Sequence, residues 1–131
     1  MEKIKMLADI SRRARAKAYA PYSSFLVGAA LLCADGSIYE GCNIENASFT
    51  PTCCAERVAL FRAVADGKRD FSAIAIAGGK SGEACEPCYP CGVCRQVLAE
   101  FCDEDFKILV VSDNGISELT LGELLPKAFK F

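Results

Sequence analysis

Two segments of the 131-residue chain carry the residues best suited to chemistry: Cys54-Ala55-Glu56-Arg57 and Pro90-Cys91-Gly92-Val93-Cys94-Arg95-Gln96. The second places a C-x-x-C pair just after a proline, where helices tend to begin. Free backbone N–H groups and the positive end of the helix dipole favour ionised sulfur there. Cys54 opens another such stretch. Three thiolates facing one point would hold Zn²⁺ and leave a fourth tetrahedral position for water, the pattern of catalytic rather than structural zinc. Glu56, in the first turn after Cys54, could stand near the metal without binding it and move a proton between water and a substrate nitrogen. Zinc with three thiolates carries net negative charge, which weakens it as a Lewis acid. Arg57 hydrogen-bonded to a thiolate sulfur would withdraw some of that density.

Composition narrows the chemistry further. The chain has nine cysteines and no histidine. That excludes a Ser-His-Asp triad, a Cys-His pair and an imidazole base. Any metal must be held by thiolate or carboxylate. Lys plus Arg number 15 and Asp plus Glu 17, a net charge of −2, which is not the footprint of a duplex-binding protein. At 52% hydrophobic and 24% charged residues the chain is globular, and its length corresponds to one domain over residues 1–131. An odd number of cysteines cannot all pair within one chain. The charged first twenty residues do not resemble a signal peptide, and no run approaches the ~20 apolar residues of a membrane span. The expectation is a reduced, cytoplasmic protein whose clustered cysteines serve metal or catalysis.

The elements that must position these residues follow from periodicity. Lys3 to Ala18 carries Ile4, Leu7, Ala8, Ala14 and Ala18 at helical spacing. Phe25 to Cys33 reads as a strand buried on both faces. Ala34-Asp35-Gly36-Ser37 is a hairpin turn, and Ile38 to Asn43 a second strand. Cys54 to Ala65 is a helix closed by Asp66-Gly67, and Phe71 to Ala77 a strand ended by Gly78-Gly79. Gly92 to Phe101 is a helix and Phe106 to Val111 a buried strand. A short strand near Glu118 to Leu121 and a helical turn near Glu123 to Leu125 close the chain. The order α-β-β-α-β-α-β-β-α implies an α/β layered domain with a mixed or parallel sheet covered on its faces.

Cys-Ala-Glu-Arg followed by Pro-Cys-Gly-x-Cys-Arg-Gln resembles the zinc-dependent nucleoside deaminases, specifically the small homotetrameric cytidine deaminases. Ala20-Pro21-Tyr22-Ser23-Ser24-Phe25-Leu26-Val27-Gly28-Ala29-Ala30 is similar to the family's N-terminal signature. Gly41-Cys42-Asn43-Ile44-Glu45-Asn46-Ala47-Ser48 resembles its ribose-binding segment, and Leu124-Leu125-Pro126-Lys127-Ala128-Phe129 its C-terminal end. The resemblance implies a three-layer α-β-α fold around a mixed sheet of about five strands. It implies Zn²⁺ bound by Cys54, Cys91 and Cys94, with Glu56 as proton carrier and Arg57 beside the thiolates. It also implies Asn43 and Glu45 on the ribose 3′-hydroxyl, the Ala55 N–H on the pyrimidine O2, and Phe25 against the base. Phe129 would reach the site from a neighbouring subunit of a homotetramer. The implied reaction is hydrolytic deamination of cytidine and 2′-deoxycytidine in pyrimidine salvage. The partners are then a small nucleoside and other copies of the chain, not nucleic acid or membrane. The scaffold also resembles blasticidin S deaminases. Two departures stand out. Phe49 occupies a place where the family commonly has Tyr, and the loop before Pro90 is long and adds Cys85 and Cys88.

Plainer readings compete. Cys85, Cys88, Cys91 and Cys94 form C-x2-C-x2-C-x2-C, which alone suggests a non-catalytic four-thiolate zinc or iron–sulfur module. The bacterial iron–sulfur run ends C-x3-C-P, and here the last gap is two residues with Arg95 after it. Spacing does not choose between Cys53 and Cys54; the resemblance does. Cys33, Cys42 and Cys102 read as small buried hydrophobes, and Cys85 and Cys88 as free loop thiols. Phe25 in an apolar run is core by base rate.

Overall fold

The computed structural model describes residues 2–131. Helix α1 spans Glu2–Ala14 and continues into a single 3₁₀ turn over Arg15–Lys17. Strands β1 (Phe25–Cys33) and β2 (Ile38–Cys42) form a hairpin, followed by α2 (Ala55–Ala65) and β3 (Phe71–Lys80). Helix α3 (Gly92–Phe101), strands β4 (Lys107–Ser112) and β5 (Gly115–Thr120) and a short α4 (Leu121–Leu124) complete the chain. Element order agrees with the periodicity. The sheet order is β2-β1-β3-β4-β5, with β3 and β4 parallel and every other pair antiparallel.

Two cores lie on opposite faces of this mixed sheet. One holds Leu7 and Ala8 of α1 against Ala30, Ala75 and Leu109. The other holds Ala55, Ala59, Leu60 and Ala63 of α2 and Leu98 of α3 against Leu31, Ile74 and Ile108. Helix α2 presents Ala55, Ala59 and Ala63 at four-residue spacing, all fully buried. Small side chains on that face let the helix axis come close to the strands. The sheet answers with glycine. A Cβ on Gly41 would meet Ala55 O and lie 2.5 Å from Ala59 N, both backbone atoms of α2. Gly28 plays the same part for α1 on the other face, where a Cβ would lie 2.6 Å from Arg15 N.

The chain runs in the same direction along β2 and β3, because each is antiparallel to β1. Both strands therefore finish at one end of the sheet, and the helices that follow them, α2 and α3, both begin there. β1 starts at that end too, with Phe25 opposite Lys80 and Gly28 opposite Cys42. This is the strand-end crevice where open α/β sheets place their sites. Among the described residues no helix is long and apolar enough to cross a membrane.

Two boundaries correct the sequence reading. Gly78-Gly79 does not end β3; the strand runs on to Lys80, with Gly78 opposite Val27 and Gly79 opposite Leu26. The glycines mark crowding rather than a turn, since a Cβ on Gly79 would collide with Ala84 O. The first helix keeps α geometry only to Ala14, because Arg15 turns inward and donates to Leu26 O, 3.1 Å, and Gly79 O, 2.9 Å.

Gly41→Ala tests the close approach of α2. Forcing a methyl into the α2 backbone is expected to destabilise the fold by about 1–3 kcal/mol, the usual range for overpacking. Urea unfolding measures it.

Candidate active site

Cys54 and Cys91 are the N-cap residues of α2 and α3, each with extended φ/ψ and no side-chain cap of its own. Their sulfurs are therefore free to face each other, and Cys54 Sγ lies 3.7 Å from Cys91 Sγ. Cys94, one turn into α3, brings a third sulfur, and all three lie within 4.8 Å of one another. Tetrahedral zinc with Zn–S bonds of about 2.3 Å sets its sulfurs about 3.8 Å apart. The spacing and the soft, all-thiol donor set fit zinc. All nine cysteines are free thiols. The cluster draws on Cys54 and not on Cys53, and it leaves out Cys85 and Cys88, so the C-x2-C-x2-C-x2-C run is not a local four-thiolate site.

The charges around the cluster are arranged to tolerate ionised sulfur. Arg57 Nη2 stands 3.4 Å from Cys54 Sγ and 3.4 Å from Thr52 O. Its Nε is buried without a partner, and its charged head is held among the thiols. A hydrogen bond from Cys94 and the Arg57 guanidinium hold the Cys54 thiol at about 5, far below an ordinary cysteine. Cys94, which gives that hydrogen bond, is pushed up.

Glu56 sits two residues after Cys54, in the first turn of α2, and is only 4% exposed. Burial raises its carboxyl from 4.5 to about 7; its own backbone N–H and Arg57 lower it, and the negative charge of Cys54 pushes it up. A carboxylic acid poised near neutrality can both take up and release protons.

The remaining expected residues lie around the same end of the sheet. Phe25 opens β1 and is half-buried. Asn43, 9% exposed, follows β2 and clamps the start of β1: its Oδ1 accepts from Val27 N at 2.9 Å and its Nδ2 donates to Phe25 O at 2.9 Å. One amide hydrogen of Asn43 is left for another acceptor. Glu45 accepts from the N–H groups of Tyr22, 2.9 Å, and Ser23, 3.1 Å, and from the Ser23 hydroxyl. These hydrogen bonds, that from Ser23 first, hold its carboxyl below the usual range. Glu45 lines a cavity of about 430 Å³ with Tyr22, Ser23, Asn46, Phe49 and Thr52. Phe49 is 74% exposed at its rim and has a left-handed φ of 63°. Ala55, fully buried, is the first residue of α2, where its N–H lies in the unpaired first turn. Phe129 is 68% exposed on the C-terminal tail, tethered where Gln96 Nε2 donates to Phe129 O at 3.1 Å.

Sequence reading missed the Tyr22-Ser23 cradle of Glu45. The Pro21-Tyr22-Ser23-Ser24 turn was visible, but not what it would bind. It also missed the separation of Cys85 from Cys88. Cys85 is buried in the α1-side core under Arg15, whose Nη1 lies 3.0 Å from its sulfur. Cys88 packs against the opposite core, that of α2 and α3.

Two helix N-termini presenting three thiols to one point, with a buried acid beside them, define a class: a zinc–thiolate site equipped for hydrolysis. Residues 1–110 match the family described as the cytidine and deoxycytidylate deaminase zinc-binding region. A cytidine deaminase of Sporosarcina psychrophila is 50% identical over 130 residues, covering 98% of this chain and 92% of the relative. The crystal structure of a cytidine deaminase from Burkholderia pseudomallei superposes with a TM-score of 0.87 at 44% identity, covering 95% of this chain and 98% of that one. A blasticidin-S deaminase of Bacillus cereus is more distant, 32% identical over 104 residues, covering 76% of this chain and 74% of the relative. The chain belongs to the cytidine and deoxycytidylate deaminase zinc-binding family.

The Glu56 shift has a thermodynamic signature. In metal-free protein the folded state keeps a proton that the unfolded chain gives up above 4.5. The stability attached to that proton is full below pH 4.5 and is lost as pH rises through about 7. Relative to Glu56→Gln, the parent is expected to lose on the order of 3 kcal/mol across that window, at 1.36 kcal/mol per pH unit. Urea unfolding of both proteins in chelator, from pH 4 to 8, measures the difference.

Proposed function

We propose that the protein deaminates cytidine and 2′-deoxycytidine to uridine and 2′-deoxyuridine, releasing ammonia. The observation that carries this reading is three convergent thiols beside one buried carboxyl poised near pH 7. Cys54, Cys91 and Cys94 hold the zinc ion, which when bound supplies the Lewis acidity that a hydrolytic attack at neutral pH requires. Arg57 draws electron density from the Cys54 sulfur and so preserves that acidity.

Glu56 does the proton work. Water adds at C4 of the pyrimidine while Glu56 takes its proton and delivers it to N3. The same carboxyl then carries the second proton to the exocyclic amine, the C4–N bond breaks, and ammonia leaves. With no histidine in the chain, one carboxyl serves both directions. The Ala55 N–H binds the pyrimidine O2 and Phe25 packs on the ring. Asn43 and Glu45 hydrogen-bond the ribose 3′-hydroxyl, Glu45 from the position that Tyr22 and Ser23 fix for it. Phe49 offers the sugar a ring face and no hydroxyl.

The working form is a homotetramer in which Phe129 of one copy completes the site of another. Exposed apolar side chains support assembly: Phe61 on α2, Val93 on α3, and Phe129 and Phe131 on the tail. The free thiols fit a reducing cytoplasm, and the reaction fits pyrimidine salvage.

Ammonia release tests the reading, with cytidine, blasticidin S and cytosine as parallel substrates. Turnover of cytidine is expected, and turnover of blasticidin S alone would overturn it. Glu56→Ala is expected to keep its zinc and lose about 10⁴-fold in kcat. Cys54→Ala is expected to lose the zinc itself, read by metal analysis after dialysis. A metal content that ignores Cys54 would return the four-cysteine module.

Deleting Phe129 to Phe131 is expected to weaken both assembly, by sedimentation velocity, and affinity for cytidine.

A further inference from the structure

Cys88 has no part in the metal cluster, yet the fold brings it to the same crevice. It comes three residues before Cys91, in the segment that leads into α3. A Cβ placed on Gly78 would lie 2.9 Å from Cys88 Sγ and 3.1 Å from Phe25 Cε2. The thiol and the ring edge therefore rest side by side on the bare backbone of β3. The charges of Glu56 and Cys54 reach the Cys88 thiol, as do those of Glu86 and Cys85. Burial pushes this thiol up to about 11, so at neutral pH it is an uncharged, compact, apolar surface.

We propose that Cys88 is a specificity-determining residue that walls the C5 side of the pyrimidine. The inference rests on the cytidine reading and follows the order of atoms around the ring. O2 is held at Ala55 on α2, and N3 and C4 face Glu56 and the thiol cluster. The next ring atom, C5, then faces the segment entering α3, where Cys88 stands against Phe25. Because Gly78 supplies no side chain, Cys88 can sit low on the sheet and leave room for an unsubstituted ring. A larger group at C5 meets sulfur.

Two variants move this wall in opposite directions. Cys88→Ala removes the sulfur and opens space at C5. Gly78→Ala adds a methyl beneath Cys88 and Phe25 and pushes both toward the ring. The readout is the ratio of kcat/KM for 5-methylcytidine to that for cytidine, together with calorimetric binding of 5-methyluridine and uridine. In Cys88→Ala both ratios are expected to rise about tenfold, the discrimination one methyl group commonly carries. In Gly78→Ala they are expected to fall. Zinc content equal to the parent's shows that the cluster is intact in each, and Cys88→Ser, similar in volume, is expected to keep the parent ratio. Ratios unchanged in a Cys88→Ala protein that binds zinc and turns over cytidine would overturn the proposal and leave the cytidine reading standing. A parent that neither deaminates cytidine nor binds uridine would overturn both.

Discussion

Three sulfurs within 4.8 Å of one another repel when they ionise, and the structure is organised around making that crowding tolerable. Two of them cap helices that bring unpaired N–H groups and the positive ends of their dipoles to the same point. The third gives its hydrogen to Cys54. A guanidinium stands among them with a buried, unpartnered Nε. With all three ionised, the like charge calls for a cation to complete the arrangement. Among the described residues the cluster has three thiols, a set that would leave a bound zinc one coordination position for reactants.

That meeting of helices depends on strand direction and on small residues. Strands β2 and β3 run the same way, so α2 and α3 start from one end of the sheet although they are far apart in sequence. The stripe Ala55, Ala59, Ala63 against Gly41 then sets how near α2 lies. Those same contacts fix Cys54 and Glu56, because both sit in the first turn of the packed helix. The core of this face and the geometry of the site are one set of contacts.

Much of this was legible in the sequence because its signals are local. Strand β1 reads out as a continuous apolar run, and α3 as a periodic segment behind Pro90. Helix α2 is legible as a stretch without Gly or Pro, closed by Asp66-Gly67. Gly78-Gly79 misled because glycine serves two purposes that look alike in one dimension. A turn needs its backbone freedom, whereas β3 needs its missing side chain, and the partners that crowd β3 are Ala84, Cys88 and Phe25, none of them adjacent in sequence. Cys85 and Cys88 look like a pair at C-x-x-C spacing, but the loop straddles the sheet end and sends them into opposite cores. Glu45 was identifiable by its surrounding motif. The backbone groups of Tyr22 and Ser23 that hold it come from the other side of β1, a contact no periodicity encodes.

A chain without histidine must do neutral-pH proton transfer with a group whose ordinary value lies elsewhere. Burial alone would leave Glu56 protonated and inert as a base; the neighbouring Cys54 charge adds to that tendency, and Arg57 opposes it. A cation on the sulfurs acts in the same sense as Arg57, since it favours the carboxylate. The acid is thus set between two opposed influences, one fixed by the packing of α2 and the other conditional on a bound metal. Raising the group by burial and lowering it by a nearby cation keeps its value near neutrality, the condition that the proposed two-way proton transfer requires of a single residue. A carboxyl in the first turn of the helix that also carries a thiolate feels both influences, because the spacing of Cys54 and Glu56 keeps it buried and beside the cluster.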